Sequence, residues 1–317
     1  MSGAPSLDAV FQLIHAARIV QTLQGTRELG LMRRLEQPAS LEELAQHTGV
    51  ATDRLQILLD ALQAMELISR SGDRYESRVP RVMIDKMLGL RDIASALRGR
   101  PDWEGHTAAG ANAHYPEVVG ALSMMMREPA DQAARLLAAP RLRILEVAAG
   151  ACAWSLALAA HSPGSTVVVN DLPAVIEQSR QAVAAAGRST QYDFLPGDLF
   201  SIDLGERRFD RVLVPMVVHL FDPETAARLV RRAASVLAPG GEVVMIDVFV
   251  QDDRPDLEAS LYSLELLSRT AAGRVHRLSD ANRWMDEAGL EASRVEVLPG
   301  RAGIRLVIGA YQPVAVT

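Results

Sequence analysis

The sequence predicts an α/β protein: a mainly parallel sheet of seven strands covered by helices, preceded by an α-helical winged-helix unit. Three observations carry that prediction. Strands and helices alternate beyond Arg141. The stretch from Leu142 to Asp171 reads strand, tight turn, helix, strand and then an acid. The segment from Leu7 to about Arg78 has apolar residues at three- and four-residue spacing and ends in a short two-stranded pattern.

In the N-terminal segment, Ser40 followed by Glu43 forms a capping box that starts one helix, which stops near Gly49. A second helix begins around Thr52 and Asp53 and runs through Leu55, Leu58, Leu59 and Leu62 to Met65. Leu67 to Ser77 then alternates around Ser71-Gly72-Asp73, which reads as a wing. Winged helices bind DNA or serve as dimerisation folds. Between Ser40 and Arg78 there are seven acids against four arginines, and the would-be recognition helix opens Asp53-Arg54. A groove-reading helix needs a basic face, so dimerisation is the expected use.

Pro80 to Pro140 reads as a helical connector with loops, interrupted at Gly89, Gly99 and Pro101. It carries Trp103, His106, His114, Tyr115 and the run Met124-Met125-Met126. Methionine runs fill core gaps or line ligand pockets; this one directly precedes the sheet domain, where a substrate lid would sit. The expected division is residues 1–90 winged helix, 91–140 connector and lid, and 141–317 sheet domain. The seven strands are Leu142–Val147, Thr166–Asn170, one near Tyr192–Leu195, Arg211–Val214, Glu242–Phe249, Arg294–Leu298 and Arg305–Tyr311, the last two as an antiparallel edge.

With 317 residues, 49% of them hydrophobic, the chain can bury two sizeable cores. It has no run of about 18 apolar residues to span a membrane. Its first residues lack the order of a signal peptide, and its single cysteine offers no disulfide framework. A cytoplasmic protein is expected, with no membrane partner and no metal. The net charge of -6 speaks against a nucleic-acid partner, because neutralising phosphates takes a basic face.

The chemistry concentrates at the strand ends. Leu142–Val147 runs into Ala148-Ala149-Gly150-Ala151-Cys152-Ala153, small residues that let a ligand lie against bare backbone. The next strand delivers Asp171, whose carboxylate is placed to take both hydroxyls of a ribose. A dinucleotide fingerprint needs glycine at three spaced points; here those points are Gly150, Cys152 and Ser155, and only the first is met. A phosphate-free adenosine ligand, S-adenosylmethionine, is therefore favoured over NAD. Nothing beside Cys152 supplies a base or a positive charge, so it reads as a small residue and not a nucleophile.

After the third strand comes Gly197-Asp198-Leu199-Phe200; Asp198 is either a turn residue or an acceptor for an adenine amino group. The fourth strand ends Val214-Pro215-Met216, with His219 three residues on, just before a helix capped by Asp222 with Pro223 at its first position. A strand end is where open α/β sheets bind ligands, which favours His219 as a general base over a structural histidine. Asp247, closing the fifth strand, either orients that imidazole or caps a following turn. His276, with Arg274 and Arg277, follows the apolar helix Leu257 to Thr270 and reads as part of a solvated charged loop.

Several motifs together resemble one family: I-L-E-V-A-A-G-A-C-A-W-S, N-D-L-P-A-V, P-G-D-L-F, V-V-H-L-F-D-P-E with L-A-P-G-G after it, and S-L-Y-S-L-E-L-L-S-R-T-A-A-G. The chain is similar along nearly its whole length to the class I S-adenosylmethionine-dependent O-methyltransferases, whose Rossmann-like domain follows a winged-helix dimerisation domain. The resemblance implies cofactor contacts at Glu146, Ala148, Gly150, Asp171, Leu172, Gly197, Asp198, Leu199, Phe200 and Pro215. It implies catalysis by His219 with Asp247, substrate contacts at Met124, Met125, Met216, Tyr262 and Leu266, S-adenosylhomocysteine as product, and a homodimer joined by interlocked N-terminal helices. The expected activity is methylation of a hydroxyl on an aromatic or polyketide-like small molecule of secondary metabolism.

The chain also departs from the family pattern. Ala148 and Cys152 stand where glycines are common, which predicts weaker cofactor binding or a reshaped loop. The frequent H-D-W becomes His219-Leu220-Phe221, and a second carboxylate that some members place near Gly273 is replaced by Arg274-Val275-His276. Carbon or nitrogen methylation, a non-methylating cyclase or decarboxylase, and a winged-helix regulator that senses a small molecule remain alternatives on this scaffold.

Overall fold

The computed structural model describes residues 7–84, 93–98, 108–251, 256–270, 272–299 and 303–312. The chain divides into two compact units, Met1–Leu90 and Arg91–Thr317.

The first unit runs α1 (Leu7–Glu28), α2 (Leu31–Arg34), β1 (Ala39–Ser40), α3 (Leu41–Thr48), α4 (Thr52–Ala64), β2 (Ile68–Ser71) and β3 (Arg74–Ser77). The three strands pair in the order β1-β3-β2. The capping box forms as written: the Ser40 side chain accepts from Glu43 N–H, and the Glu43 carboxylate accepts from Ser40 N–H at 3.0 Å. Gly49, at φ 69°, closes α3. Leu31, Leu35, Leu44, Leu55, Leu59 and Leu62 bury completely, and Ile68 and Tyr75 seal the wing onto them. The helix, turn, helix and wing of the sequence are all present.

The second unit runs α5 (Ile93–Leu97), α6 (Ala108–Leu137), β4 (Arg143–Val147), α7 (Ala153–His161), β5 (Thr166–Asp171), α8 (Ile176–Ala185) and β6 (Tyr192–Pro196). It continues through β7 (Phe209–Pro215), α9 (Pro223–Ser235), β8 (Leu237–Val250), α10 (Leu257–Arg269), β9 (His276–Arg277), α11 (Leu278–Glu287), β10 (Glu291–Val297) and β11 (Ile304–Ala310). The expected connector is more regular than its composition suggests. Residues 108–137 form one 30-residue helix that carries Pro116 and Pro129 within it. Gly89, Gly99, Pro101, Trp103 and His106 lie outside the described residues.

The main sheet has the order β10-β11-β8-β7-β4-β5-β6, with the two-residue β9 added beside β8. Pairing is parallel from β6 to β8, and β11 and β10 close it as an antiparallel edge. Strand side chains alternate between two cores. Ile144, Leu213, Val244 and Ile246 face one layer with Ala133, Ala134 and Leu158, while Leu145, Val212, Val214, Val243 and Met245 face the other with Ala226, Leu229, Val230 and Trp284. Chain order reverses between β4 and β7. Their following loops diverge and leave a crevice at the carboxyl edge. Among the described residues, no helix is long and apolar enough to cross a membrane.

Candidate active site

The crevice is a cavity of about 560 Å³. One wall is the loop after β4, from Ala148 to Ala151, with Trp154 of α7; another is Asp171 and Leu172 at the end of β5; a third is Gly197 to Phe200 after β6. Pro215, Met216 and Val217 after β7 complete the sheet side, with Leu220 and Phe221 beyond them. Helix α6 covers the cavity with Tyr115, Val119, Leu122, Ser123 and Met126, a set of positions that shares one helical face. Apart from Glu146, every residue assigned to the cofactor from sequence lines this cavity.

The loop after β4 keeps the left-handed backbone that glycines would favour. Ala148, Gly150 and Cys152 stand at φ 50°, 56° and 59°. Ala148 and Cys152 thus hold a left-handed backbone without being glycine, each at about 1–2 kcal/mol of strain. Met216, at φ 48°, is held the same way. Burial and nearby Glu146 push the Cys152 thiol well above its usual range, in keeping with an inert small residue.

Asp171 accepts Gly150 N–H at 2.6 Å on one oxygen and Leu172 N–H at 2.7 Å on the other. A carboxylate has about four acceptor sites, so two remain for a ligand's hydroxyls. Burial raises its pKa to about 6 against those two backbone bonds. Glu146 lies behind the loop with no exposed surface. Ser155 N–H donates to its Oε2 at 3.2 Å, whereas Oε1 is buried with no partner among the described residues. Desolvation drives its pKa up to about 8. Asn170 donates to Leu195 and Gly197 carbonyls at 2.9 and 3.0 Å, and its own oxygen is also unpartnered. It thereby fixes the start of the Gly197–Phe200 wall, a role the sequence reading missed. Asp198 is a turn residue that stands on the cavity wall, its Oδ1 accepting Phe200 N–H at 2.7 Å.

His219 sits in a 3-10 turn, Val218–Leu220, between β7 and α9, just before the Asp222 cap, which accepts Glu224 and Thr225 N–H. Its Nδ1 lies 2.8 and 3.0 Å from the two oxygens of Asp247, and its backbone N–H donates to the same carboxylate at 3.3 Å. Asp247 is fully buried. It contacts the imidazole, as one of the two expected readings had it, and caps no turn, because β8 continues through Val248, whose N–H it also accepts, to Val250. A carboxylate only accepts, so the proton is on Nδ1 and Nε2 offers its lone pair. Tyr262 of α10 stands at that lone pair, its hydroxyl 3.2 Å from Nε2 and its ring edge-on to the imidazole. Neither ring is part of the cavity wall; the wall is made by their neighbours Val217, Leu220 and Phe221.

Three expectations are corrected. Met124 and Met125 are half exposed on the far side of α6, and Met126 is the methionine on the cavity face. Leu266 is buried in the core beneath α10 and does not reach the cavity, although Met216 does. His276 is no solvated loop residue: it pairs with β8 through β9, is 2% exposed, and packs edge-on against Trp284. Arg274 and Arg277 beside it are exposed.

The strand order, the crevice at the switch point and the acid ending β5 define a class I methyltransferase domain. The chain belongs to the O-methyltransferase family, matching its O-methyltransferase domain over residues 104–291 and its dimerisation domain over residues 11–79. It is an S-adenosylmethionine-dependent methyltransferase. The demethylspheroidene O-methyltransferase of Cereibacter sphaeroides is 25% identical, the match covering 98% of this chain and 87% of that one. The 3-hydroxy-5-methyl-1-naphthoate 3-O-methyltransferase of Streptomyces sahachiroi is 27% identical over 90% of each. Among solved structures, human N-acetylserotonin methyltransferase in complex with S-adenosylmethionine shares the fold with a TM-score of 0.74, at 19% identity and covering 99% of this chain and 100% of that one.

Proposed function

We propose that this enzyme methylates a hydroxyl of an aromatic or polyketide-like small molecule, with His219 as general base, and that it works as a homodimer joined through its first unit. The His219–Asp247 pair carries the reading, because it fixes the tautomer that leaves Nε2 without a proton and so able to take one. The residues present suit the cofactor. Asp171 has acceptor sites left for the ribose, Asp198 with Leu199 and Phe200 suits the adenine, and Glu146, enclosed behind the loop, leaves Oε1 as an acceptor unpaired among the described residues. Bound there, S-adenosylmethionine supplies an electrophilic methyl group. His219 removes the hydroxyl proton as the oxygen attacks, and Asp247 stabilises the imidazolium. Positioned bases of this kind contribute about 10²–10⁴-fold, with orientation supplying much of the rest. The Tyr262 hydroxyl, 3.2 Å from Nε2, occupies the position that a substrate hydroxyl would have to take.

The substrate class follows the Streptomyces sahachiroi relative, whose name specifies a hydroxynaphthoate. The dimer is supported by the family's dimerisation domain and by α1, which leaves Phe11 and Leu13 67% and 71% exposed. Calorimetric titration with S-adenosylmethionine and S-adenosylhomocysteine, then a screen of hydroxylated naphthalenes, benzoates and polyketide phenols read by S-adenosylhomocysteine release, tests the activity. Saturable binding with methylation at oxygen is expected. Transfer to carbon or nitrogen, or cofactor binding with no transfer to any of the panel, would sink the hydroxyl reading. A monomer by light scattering would remove the dimer.

A further inference from the structure

We infer that His276 is a positioning residue for the base: its one imidazole N–H ties together two carbonyls of the turn that carries His219 and holds that ring against Asp247. The inference rests on the reading of His219 as general base. His276 Nε2 lies 3.1 Å from the Val218 carbonyl and 3.2 Å from the Phe221 carbonyl, one residue before and two after His219. Both partners only accept, so the proton is on Nε2 and one N–H bridges the turn. Nδ1 is buried with no partner among the described residues, and burial holds the imidazole's pKa below its usual value, so the ring stays neutral and keeps this tautomer.

The rest of the segment grips the same turn. Arg274 N–H donates to the His219 carbonyl at 2.9 Å, so the residues from 274 to 276 engage the carbonyls of Val218, His219 and Phe221. Gly273 must be glycine for this approach. A Cβ there would come within 2.9 Å of the His219 carbonyl and 2.2 Å of Thr270 Oγ1. His276 is itself fixed by register, since it pairs with Phe249 of β8, two residues beyond Asp247. Asp247 thus holds the imidazole at Nδ1 while the neighbouring strand holds the backbone that bears it. The loop that lacks a carboxylate near Gly273 contributes to the site through a backbone clamp.

Two substitutions separate this role from packing against Trp284. His276→Gln keeps an N–H donor and loses the ring; His276→Phe keeps a ring and loses the donor. The readout is the imidazole signal of His219 in ¹⁵N-histidine-labelled full-length protein, with and without S-adenosylhomocysteine, assigned among the seven histidines by its absence in His219→Gln. In the wild type and in His276→Gln, a single tautomer with a downfield Nδ1 proton is expected. In His276→Phe, that proton should be lost to exchange and the tautomers should mix, with S-adenosylhomocysteine affinity unchanged. A wild-type signal in His276→Phe overturns the inference, as does its loss in a folded His276→Gln. Should the Phe variant not fold, His276→Leu serves as the variant without a donor. The signal needs no substrate, so it fails independently of the base assignment, which turnover of His219→Ala tests.

Discussion

The turn that carries His219 and the loop that follows β4 lie on the two sides of the sheet's switch point and differ in how far their polar groups are satisfied. Around His219, the Nδ1 proton and the backbone N–H both go to Asp247, and the Val218, His219 and Phe221 carbonyls all receive donors. Behind the β4 loop, Glu146 Oε1 and Asn170 Oδ1 are buried with no partners among the described residues, and two non-glycine residues hold left-handed backbone. The His219 turn is fixed without a ligand, whereas the region behind the β4 loop leaves acceptors unpaired among the described residues. Unsatisfied buried acceptors cost stability and are tolerated where a ligand will pair them.

The contrast predicts that breaking the first region abolishes chemistry and leaves binding intact. His219→Ala should lower turnover by about 10²–10⁴-fold with S-adenosylmethionine affinity unchanged by calorimetry. Asp247→Asn, which keeps the shape and removes the charge facing Nδ1, should cost on the order of 10²-fold or more. Wild-type turnover in either variant would mean the preset geometry serves something other than proton removal.

Breaking the second region should do the reverse. Asp171→Ala should weaken cofactor binding by about 10–100-fold, the loss of charge-assisted hydrogen bonds, and unchanged affinity would remove the ribose assignment. Glu146→Gln sharpens the point, because it should raise stability while lowering affinity. The Glu146 pKa is raised from 4.5 to about 8 in the fold, so its contribution is fully present below about pH 4.5 and is lost as pH rises through about 8. The Tm advantage of the Gln variant in the unliganded protein should therefore be smallest near the low end of that window and grow toward its top, reaching roughly 5 °C or more. A Tm difference independent of pH would show that the carboxyl is not the source. The smallest effect belongs to Ala148→Gly. It relieves about 1–2 kcal/mol of left-handed strain against roughly 0.5–1 of added chain entropy, a gain of about 1–3 °C in Tm at most. A drop in Tm would mean the Ala148 methyl packs more favourably than its backbone is strained.

Reading the same features from sequence worked where neighbours along the chain do the bonding. Ser40 with Glu43 and Asp222 with Pro223 and Thr225 are three residues apart or fewer, and their geometry follows from the identities alone. Asp171 was legible because a strand end followed by an acid has one place in a parallel sheet. Tyr262 at His219 Nε2, His276 behind that turn and the choice of Met126 over Met124 and Met125 were not. They depend on contacts 43 and 58 residues distant and on which face α6 turns to the cavity.

The amino-acid sequence by itself determined the layers, the helix caps and the order of the strands, because periodicity and short-range hydrogen bonding are written locally. Only the tertiary structure decided that Ala148 and Cys152 keep the glycine conformation and that His276 is a buried clamp instead of a solvated charge. Backbone strain and burial are set by what packs around a residue, and the β8–β9 pairing that buries His276 joins segments that the sequence keeps apart.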